Sequence, residues 1–422
     1  MTHRDPHLVI LPTIKAQIDP AKPGHVVLTG KFITGMQAYV NYWPGPVTLL
    51  IEATQSKDTN MDYQLVCISD LPYELKIVDF EKPNLSDQLA AADVVLASVN
   101  WRQNHISQLC HEVNVPCVYV TEYAFETRCQ MEKTRAKNRL VYLRRVLWHW
   151  AHERKHRRAL KLAHGLQANG TPTYNDYLGL AQKSLLYFDS RVEKKQMAIK
   201  DDLVQRYKDI DSGRPLRLAF SGRLLPIKGA DHLLVIAQHL LEMQVPFTME
   251  ICGDGELFDR MSKQIIEKNL SDHVHMRGVL DFQKQLIPFM KQGVDLFVCP
   301  HRQGDPSCTY LETMSCGVPI VGYENAAFVG VCDHSDAGWP VAMDQPKQVA
   351  RQIAQLHKHR KQIVEHAMQS LNFAKSHSFE ETFARRVDQL IELAGCSSDV
   401  KAPKQTSPPV IKKVAAMKEV VQ

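Results

Sequence analysis

The sequence predicts an α/β protein made of two successive domains, each a parallel sheet flanked by helices. The chain has 422 residues, more than one core ordinarily holds, so two domains of roughly 150–200 residues are expected. Short apolar runs alternate with amphipathic stretches along most of its length. The pattern breaks at the polar stretch 191–215 and restarts sharply at Leu216. The expected division is therefore a first domain over 1–190, a linker over 191–213, a second domain over 214–376, a C-terminal helix over 377–396 and a disordered tail over 397–422.

In the first half, His7–Leu11, His25–Leu28, Val47–Ile51, Leu65–Ile68, Asp93–Ser98 and Cys117–Val120 read as strands. Several are continuous apolar runs, the pattern of strands buried on both faces. Asn104–Val113 reads as a helix. The segment Gly30–Gly45 places two glycines around Thr34 ahead of an amphipathic stretch. It reads either as a strand–loop–helix with Thr34 and Gly35 in a functional loop, or as an ordinary turn.

From Arg128 to Lys161 twelve Lys and Arg residues face only Glu132 and Glu153, with Leu140, Leu143, Leu147, Trp148 and Trp150 interleaved. This predicts a long basic amphipathic helix, whole or broken. It could dock on anionic lipid head groups, or its apolar side could pack on the first domain. Nucleic acid is not expected, because no binding module surrounds the helix.

Composition adds limits. Hydrophobic residues make up 44% and charged residues 23%, and the net charge is +5. These are ordinary values for a globular protein. The ten cysteines form no CxxC pair and no cluster with metal-ligand spacing, so no metal site is expected and a reducing cytoplasm is. The N-terminal apolar run is too short for a signal peptide, and no run of 18 apolar residues predicts a membrane span. The expected location is the cytoplasm, with the basic helix able to hold the protein on the inner membrane face.

The second half reads as strands Leu216–Ser221, Phe247–Cys252, Val274–Arg277, Val294–Cys299 and Pro319–Gly322, separated by helices. Ligands on such sheets sit beyond the carboxyl ends of the strands. That directs attention to the loops 222–229, 253–255 and 300–307. The first, SGRLLPIKG, carries Gly222, where a backbone can approach a ligand closely, and then Arg223 and Lys228 near a helix N-terminus, a combination suited to a diphosphate. The second, Gly253-Asp254-Gly255, is a tight turn. The third leads through Asp305, Ser307, Cys308 and Thr309 into a helix carrying Glu312, placed to accept hydrogen bonds from ribose hydroxyls.

These three elements, in this order, resemble glycosyltransferase family 4, a retaining family of the GT-B fold whose two Rossmann-like domains face each other across a cleft. The matching residues are Gly222-Arg223-Leu224 with Lys228-Gly229, then Gly253-Asp254-Gly255, then Leu311 to Val321. The resemblance covers roughly 215–360. It implies that Arg223 and Lys228 bind the donor diphosphate and stabilise it as it leaves, that Glu312 holds the ribose, and that the backbone at Ser307, Cys308 and Thr309 contacts phosphate or sugar. It also implies that the first half binds the acceptor, a saccharide or a lipid-linked one, as in surface polysaccharide assembly. No metal or other cofactor is implied.

The family usually places a second acid eight residues before the helix glutamate. Gly304 stands there, and its neighbour Asp305 is the candidate substitute. For a catalytic residue from the first half the candidates are His105, His111 and Glu122. Two other readings remain: a GT-B sugar-nucleotide epimerase, and a nucleotide-binding protein without transfer. A nicotinamide-dependent dehydrogenase is not expected, because no G-x-G-x-x-G follows a strand with an acid about 20 residues later.

Overall fold

The computed structural model describes residues 4–18, 22–55, 63–208 and 210–395. The expected tail over 397–422 lies outside the described residues. Two parallel sheets dominate. The first has seven strands in the order Lys183–Tyr187, Gly165–Asn169, Cys117–Thr121, Val94–Ser98, Leu8–Ile10, Val47–Ile51 and Glu74–Ile77. Val9 at its centre pairs with Thr48 on one side and Val95 on the other. The second has six strands in the order Val274–Gly278, Phe247–Cys252, Leu216–Ser221, Leu296–Cys299, Ile320–Tyr323 and Trp339–Val341. Each sheet carries its own core, as the continuous apolar runs require.

Two expected strands fall elsewhere. His25–Thr29 and Tyr63–Cys67 pair antiparallel in a small four-stranded sheet beside the first domain. Burial alternates along His25–Thr29, so one face is covered and the other is not. The strand Gly165–Asn169 is the reverse case. Its GLQAN sequence gives a weak apolar signal, yet every residue is buried. Its Gln167 is satisfied by Arg386, accepting from the guanidinium Nε at 2.8 Å and donating to the Arg386 carbonyl at 2.8 Å.

Arg386 belongs to the helix Phe379–Leu393, which follows the second domain in sequence but packs on the first. Phe383, Val387, Leu390 and Ile391 are buried in the first domain's core. At the crossing, the Phe379 amide donates to the Val192 carbonyl at 3.0 Å. The segment 191–213 joins the two sheets and is itself packed. It holds the helix Lys200–Tyr207 and buries Val192, Leu203 and Tyr207 in the second core. The domains also meet at the helices Gly170–Tyr177 and Ala326–Ser335, where a side chain at Gly330 would overlap Thr171.

The basic stretch forms two helices, Phe125–Arg135 and Arg139–Leu162, with the break at Ala136–Asn138 and Asn138 capping the second by accepting from Val141 N. Leu140, Leu143, Leu147 and Trp150, at i, i+3, i+7 and i+10, make an exposed apolar stripe. Among the described residues no helix is long and apolar enough to cross a membrane.

Candidate active site in the cleft

The loop after the strand Leu216–Ser221 turns through a short 3-10 segment, Pro226–Lys228, into the helix Ala230–Glu242. Gly229 links them in the left-handed region at φ 66°, and a Cβ there would lie 1.8 Å from the Pro300 carbonyl oxygen. Only glycine fits, and the consequence is that the loops 222–229 and 300–307 touch. Gly253, at φ 134°, is pressed as closely against the Gly222 carbonyl. The nearby Asp254 carboxylate accepts from the Gly255 amide at 2.7 Å, stiffening its own turn.

Lys228 is buried, and its Nζ donates to both Asp305 oxygens at 3.1 and 3.0 Å. Arg223 is exposed on the same loop. It faces Tyr123 of the first domain, whose hydroxyl is pushed up to about 12 by burial and by Glu122, with Arg223 pulling the other way. Beside Lys228, His301 is fully enclosed with neither ring nitrogen partnered; burial and the Lys228 charge hold its pKa well below the ordinary value, so it is neutral. Arg302 is no free cation, since it binds Asp231 at 2.7 and 2.9 Å and Asp344 at 2.5 Å.

Gly304 is clamped from the first domain: its amide donates to Gln130 at 3.1 Å and its carbonyl accepts from Thr127 at 3.0 Å. The helix Cys308–Ser315 follows, with Ser307 at its N-cap making no side-chain cap bond. Its far end is held by buried Arg206, which donates to the Cys316 and Gly317 carbonyls at 2.6 and 2.8 Å. Thr309 lies in its first turn. Glu312, one turn in, accepts from Arg191 at 2.6 Å.

Two groups that the sequence reading passed over meet at the helix start. Lys31 Nζ donates to Asp189 at 2.7 Å and approaches the Cys308 sulfur at 3.2 Å. The Cys308 thiol donates to Asp189 at 3.1 Å. Burial and the Asp189 charge push the Cys308 pKa up, so it stays a thiol. Burial opposes the Asp189 charge, but Lys31 outweighs it and keeps the carboxylate ionised. A Gly-Lys pair opening a helix after a strand, as at Gly30-Lys31, was the available signal.

The first-half candidates separate. Thr34 and Gly35 are not in a loop: the helix Gly30–Tyr42 begins earlier, Thr34 bonds the Gly30 carbonyl at 3.0 Å, and Gly35 packs on Phe383. His105 bonds the Phe80 carbonyl at 2.8 Å, and His111 lies in the last turn of the helix Ile106–Glu112. Glu122 does lie in the cleft, just past the strand Cys117–Thr121. Its side chain is exposed to the cleft; desolvation between the facing domains and the nearby Asp189 raise its pKa, with Asp305 adding to the effect.

Residues 206–370 match the model of the family described as glycosyl transferases group 1. A sequence search of curated proteins finds no match. Among solved structures, the chain is similar to Anabaena HepE in complex with UDP, at 12% identity over 92% of this chain and 99% of that one, with a TM-score of 0.64. It is similar to sucrose-phosphate synthase from Thermosynechococcus elongatus, at 13% identity over 92% and 98%, with a TM-score of 0.61. It is also similar to WaaG, a glycosyltransferase involved in lipopolysaccharide biosynthesis, at 14% identity over 91% and 99%, with a TM-score of 0.54. The fold is GT-B. In a GT-B frame the two rows of strand ends face each other, and the loops of Lys228, Asp305 and Glu312 look across at Lys31, Glu122 and Asp189.

Proposed function

We propose that this chain is a retaining glycosyltransferase of family 4 type, moving a sugar from a nucleotide-diphosphate donor to a saccharide or lipid-linked acceptor. The observation that carries the reading is the convergence of Lys228, Arg223, the Cys308 helix start and Glu312 on one side of the cleft, within the matched region. Lys228 and Arg223 would bind the diphosphate and stabilise the charge that grows on it, and fixed cations at a developing anion are usually a large catalytic contribution. Glu312 would exchange Arg191 for ribose hydroxyls. As the bond between the anomeric carbon and the diphosphate breaks, the acceptor oxygen attacks from the same face and its proton passes to a diphosphate oxygen. The two cations serve where a metal would in other designs, so no cofactor is required.

The basic helix Arg139–Leu162 would rest on anionic lipid at the cytoplasmic face, which suits surface polysaccharide or glycolipid assembly. A thermal-shift screen of UDP, GDP, ADP and their sugar conjugates, on wild type and Glu312→Ala, tests the donor site; UDP comes first because HepE was solved with it. Saturating nucleotide should stabilise by roughly 2.7 kcal/mol at a hundred dissociation constants. A shift without any donor consumption would favour the non-catalytic reading, to which Gly304 in the acid's place contributes. Donor epimerised in the absence of acceptor would favour the epimerase, and an inverted product would remove retention.

A further inference from the structure

The first domain holds a cavity of about 350 Å³ at the carboxyl ends of the strands Val94–Ser98 and Cys117–Thr121, roofed by the helix Arg139–Leu162. That volume is at the small end of ligand sites. Trp101, Tyr123 and Trp148 give it aromatic walls, and Asn100 and Glu122 bring polar groups to it. Glu122 and Tyr123 lie within the electrostatic reach of Asp305, and Tyr123 within that of Arg223, which sets the cavity on the side of the cleft where the donor phosphates are proposed to bind.

Its deep wall is a fixed polar network. Arg128 donates to Glu153 at 2.5 Å and to His156 Nδ1 at 2.6 Å, and the Tyr177 hydroxyl donates to Glu153 at 3.1 Å. Arginine has no acceptor, so His156 Nδ1 must accept and the ring proton sits on Nε2. Burial, with Arg128 adding to it, lowers the His156 pKa and agrees with a neutral ring. Three residues of this lining each keep one enclosed polar atom with no partner: Thr121 Oγ1, Arg128 Nε and His156 Nε2. Three such groups around one cavity can be met by bound water or by a ligand that brings hydroxyls in its place.

We infer that this cavity is the ring subsite of the acceptor, and that it takes a neutral hexopyranose. Aromatic faces suit the apolar C–H faces of a sugar ring, and the unpartnered donors and the threonine hydroxyl suit its hydroxyls. Glu153 is shared by Arg128 and Arg157, and Glu122 supplies the second carboxylate, so the wall has no spare cation to offset the desolvation of a uronic acid or sugar phosphate. The inference rests on the transferase reading for the word acceptor, but not for the cavity's chemistry.

The test is tryptophan fluorescence of the full chain titrated with methyl glucoside, mannoside and galactoside, and with methyl glucuronide. Trp101 and Trp148 report directly. At least one neutral hexoside should give a saturable change, and the glucuronide none. Thr121→Val, which keeps the side chain's shape, should weaken that binding about tenfold. Glu122→Gln should let the glucuronide in. Binding of no hexoside, equal binding of the glucuronide by wild type, or full affinity in Thr121→Val would each overturn the inference. The UDP shift separates the two readings: a UDP shift without hexoside binding removes this subsite alone, and hexoside binding without any nucleotide shift removes the transferase and leaves a sugar cavity.

Discussion

Lys228 Nζ lies 3.0 Å from Asp305 Oδ2, so the cation expected to meet a donor phosphate is already held by a carboxylate from the facing loop. Both side chains are largely enclosed, and a diphosphate must take the place of that carboxylate or share the lysine with it. Removing only Asp305 would leave a buried cation unbalanced, at a cost on the order of 1–3 kcal/mol. Asp305→Asn should therefore lower stability in denaturant melts while enlarging the UDP-induced thermal shift. Lys228→Ala should abolish that shift. An identical shift in both variants would remove the pair from the donor site.

Glu312 is held by Arg191, whose guanidinium also stacks on Phe282 at 3.7 Å. Ribose hydroxyls would compete for the carboxylate. Glu312→Gln should weaken nucleotide binding by roughly tenfold or more, since hydrogen bonds to charged groups contribute about 1.5–3 kcal/mol. Arg191→Ala should weaken it far less. Calorimetric titration of UDP into both variants is the check, and equal losses would point to the pair as scaffold.

Several enclosed histidines and carboxylates shape the acid response, and His377 and Glu153 are two of them. His377, at the crossing between the domains, is held at about 3 by burial and by Arg385. An unfolded histidine binds its proton near 6.5, so stability rises with pH across this window and is lost as pH falls below about 6.5, at up to ~1.4 kcal/mol per pH unit. Burial raises the Glu153 pKa, but the Arg128 guanidinium and the Tyr177 hydroxyl outweigh it and hold the carboxyl at about 2; its contribution is present above about 4.5 and fades below that. His377→Gln should reduce the slope of the stability profile between about pH 6.5 and 5 by the share of one proton, up to ~1.4 kcal/mol per pH unit, with the remainder left to His301 and His156. An unchanged slope there would reject this role.

Binding to vesicles containing phosphatidylglycerol should fall when Arg144, Arg154, Lys155 and Arg158 are all replaced by Gln. Arg157 is left in place, because it donates to Glu153 at 2.8 Å and supports the cavity wall. Added salt should weaken binding in wild type, since exposed charges are screened beyond about 10 Å at 0.1 M. Equal sedimentation of both proteins would leave the exposed leucine stripe without a lipid partner.

Gly229→Ala places a Cβ against the Pro300 carbonyl in a backbone conformation disfavoured for alanine. We expect a loss of at least ~2 kcal/mol together with a smaller UDP shift, because the displaced loop carries Lys228. A variant as stable as wild type would show that the two loops can part freely.

Five of the second sheet's six strands were legible as largely apolar segments between helical patterns, and its loops were legible because glycines mark the places where backbones touch; the short edge strand Trp339–Val341, with a proline at its centre, carried too weak a pattern. The seven-stranded sheet was half legible. Gly165–Asn169 hid behind Gln167 and Asn169, whose burial depends on partners distant in sequence such as Arg386. Lys31 carried the Gly-Lys signal, but its pairing did not show: 158 positions separate it from Asp189, and only the folded chain brings both to Cys308. The cavity beneath the basic helix could not be read from charge, since Arg128 and Arg157 look like surface cations until Glu153 is seen between them.

The chain passes between its domains twice, near Val192 and near Phe379, and the passages are fastened to each other. The Phe379 amide donates to the Val192 carbonyl, the Glu380 carboxylate accepts from the Lys194 amide at 3.1 Å, and Lys194 pairs with Glu381. Two linkers side by side make one seam: an opening of the cleft that kept these bonds would pivot about it, while a swivel of one half over the other would break them.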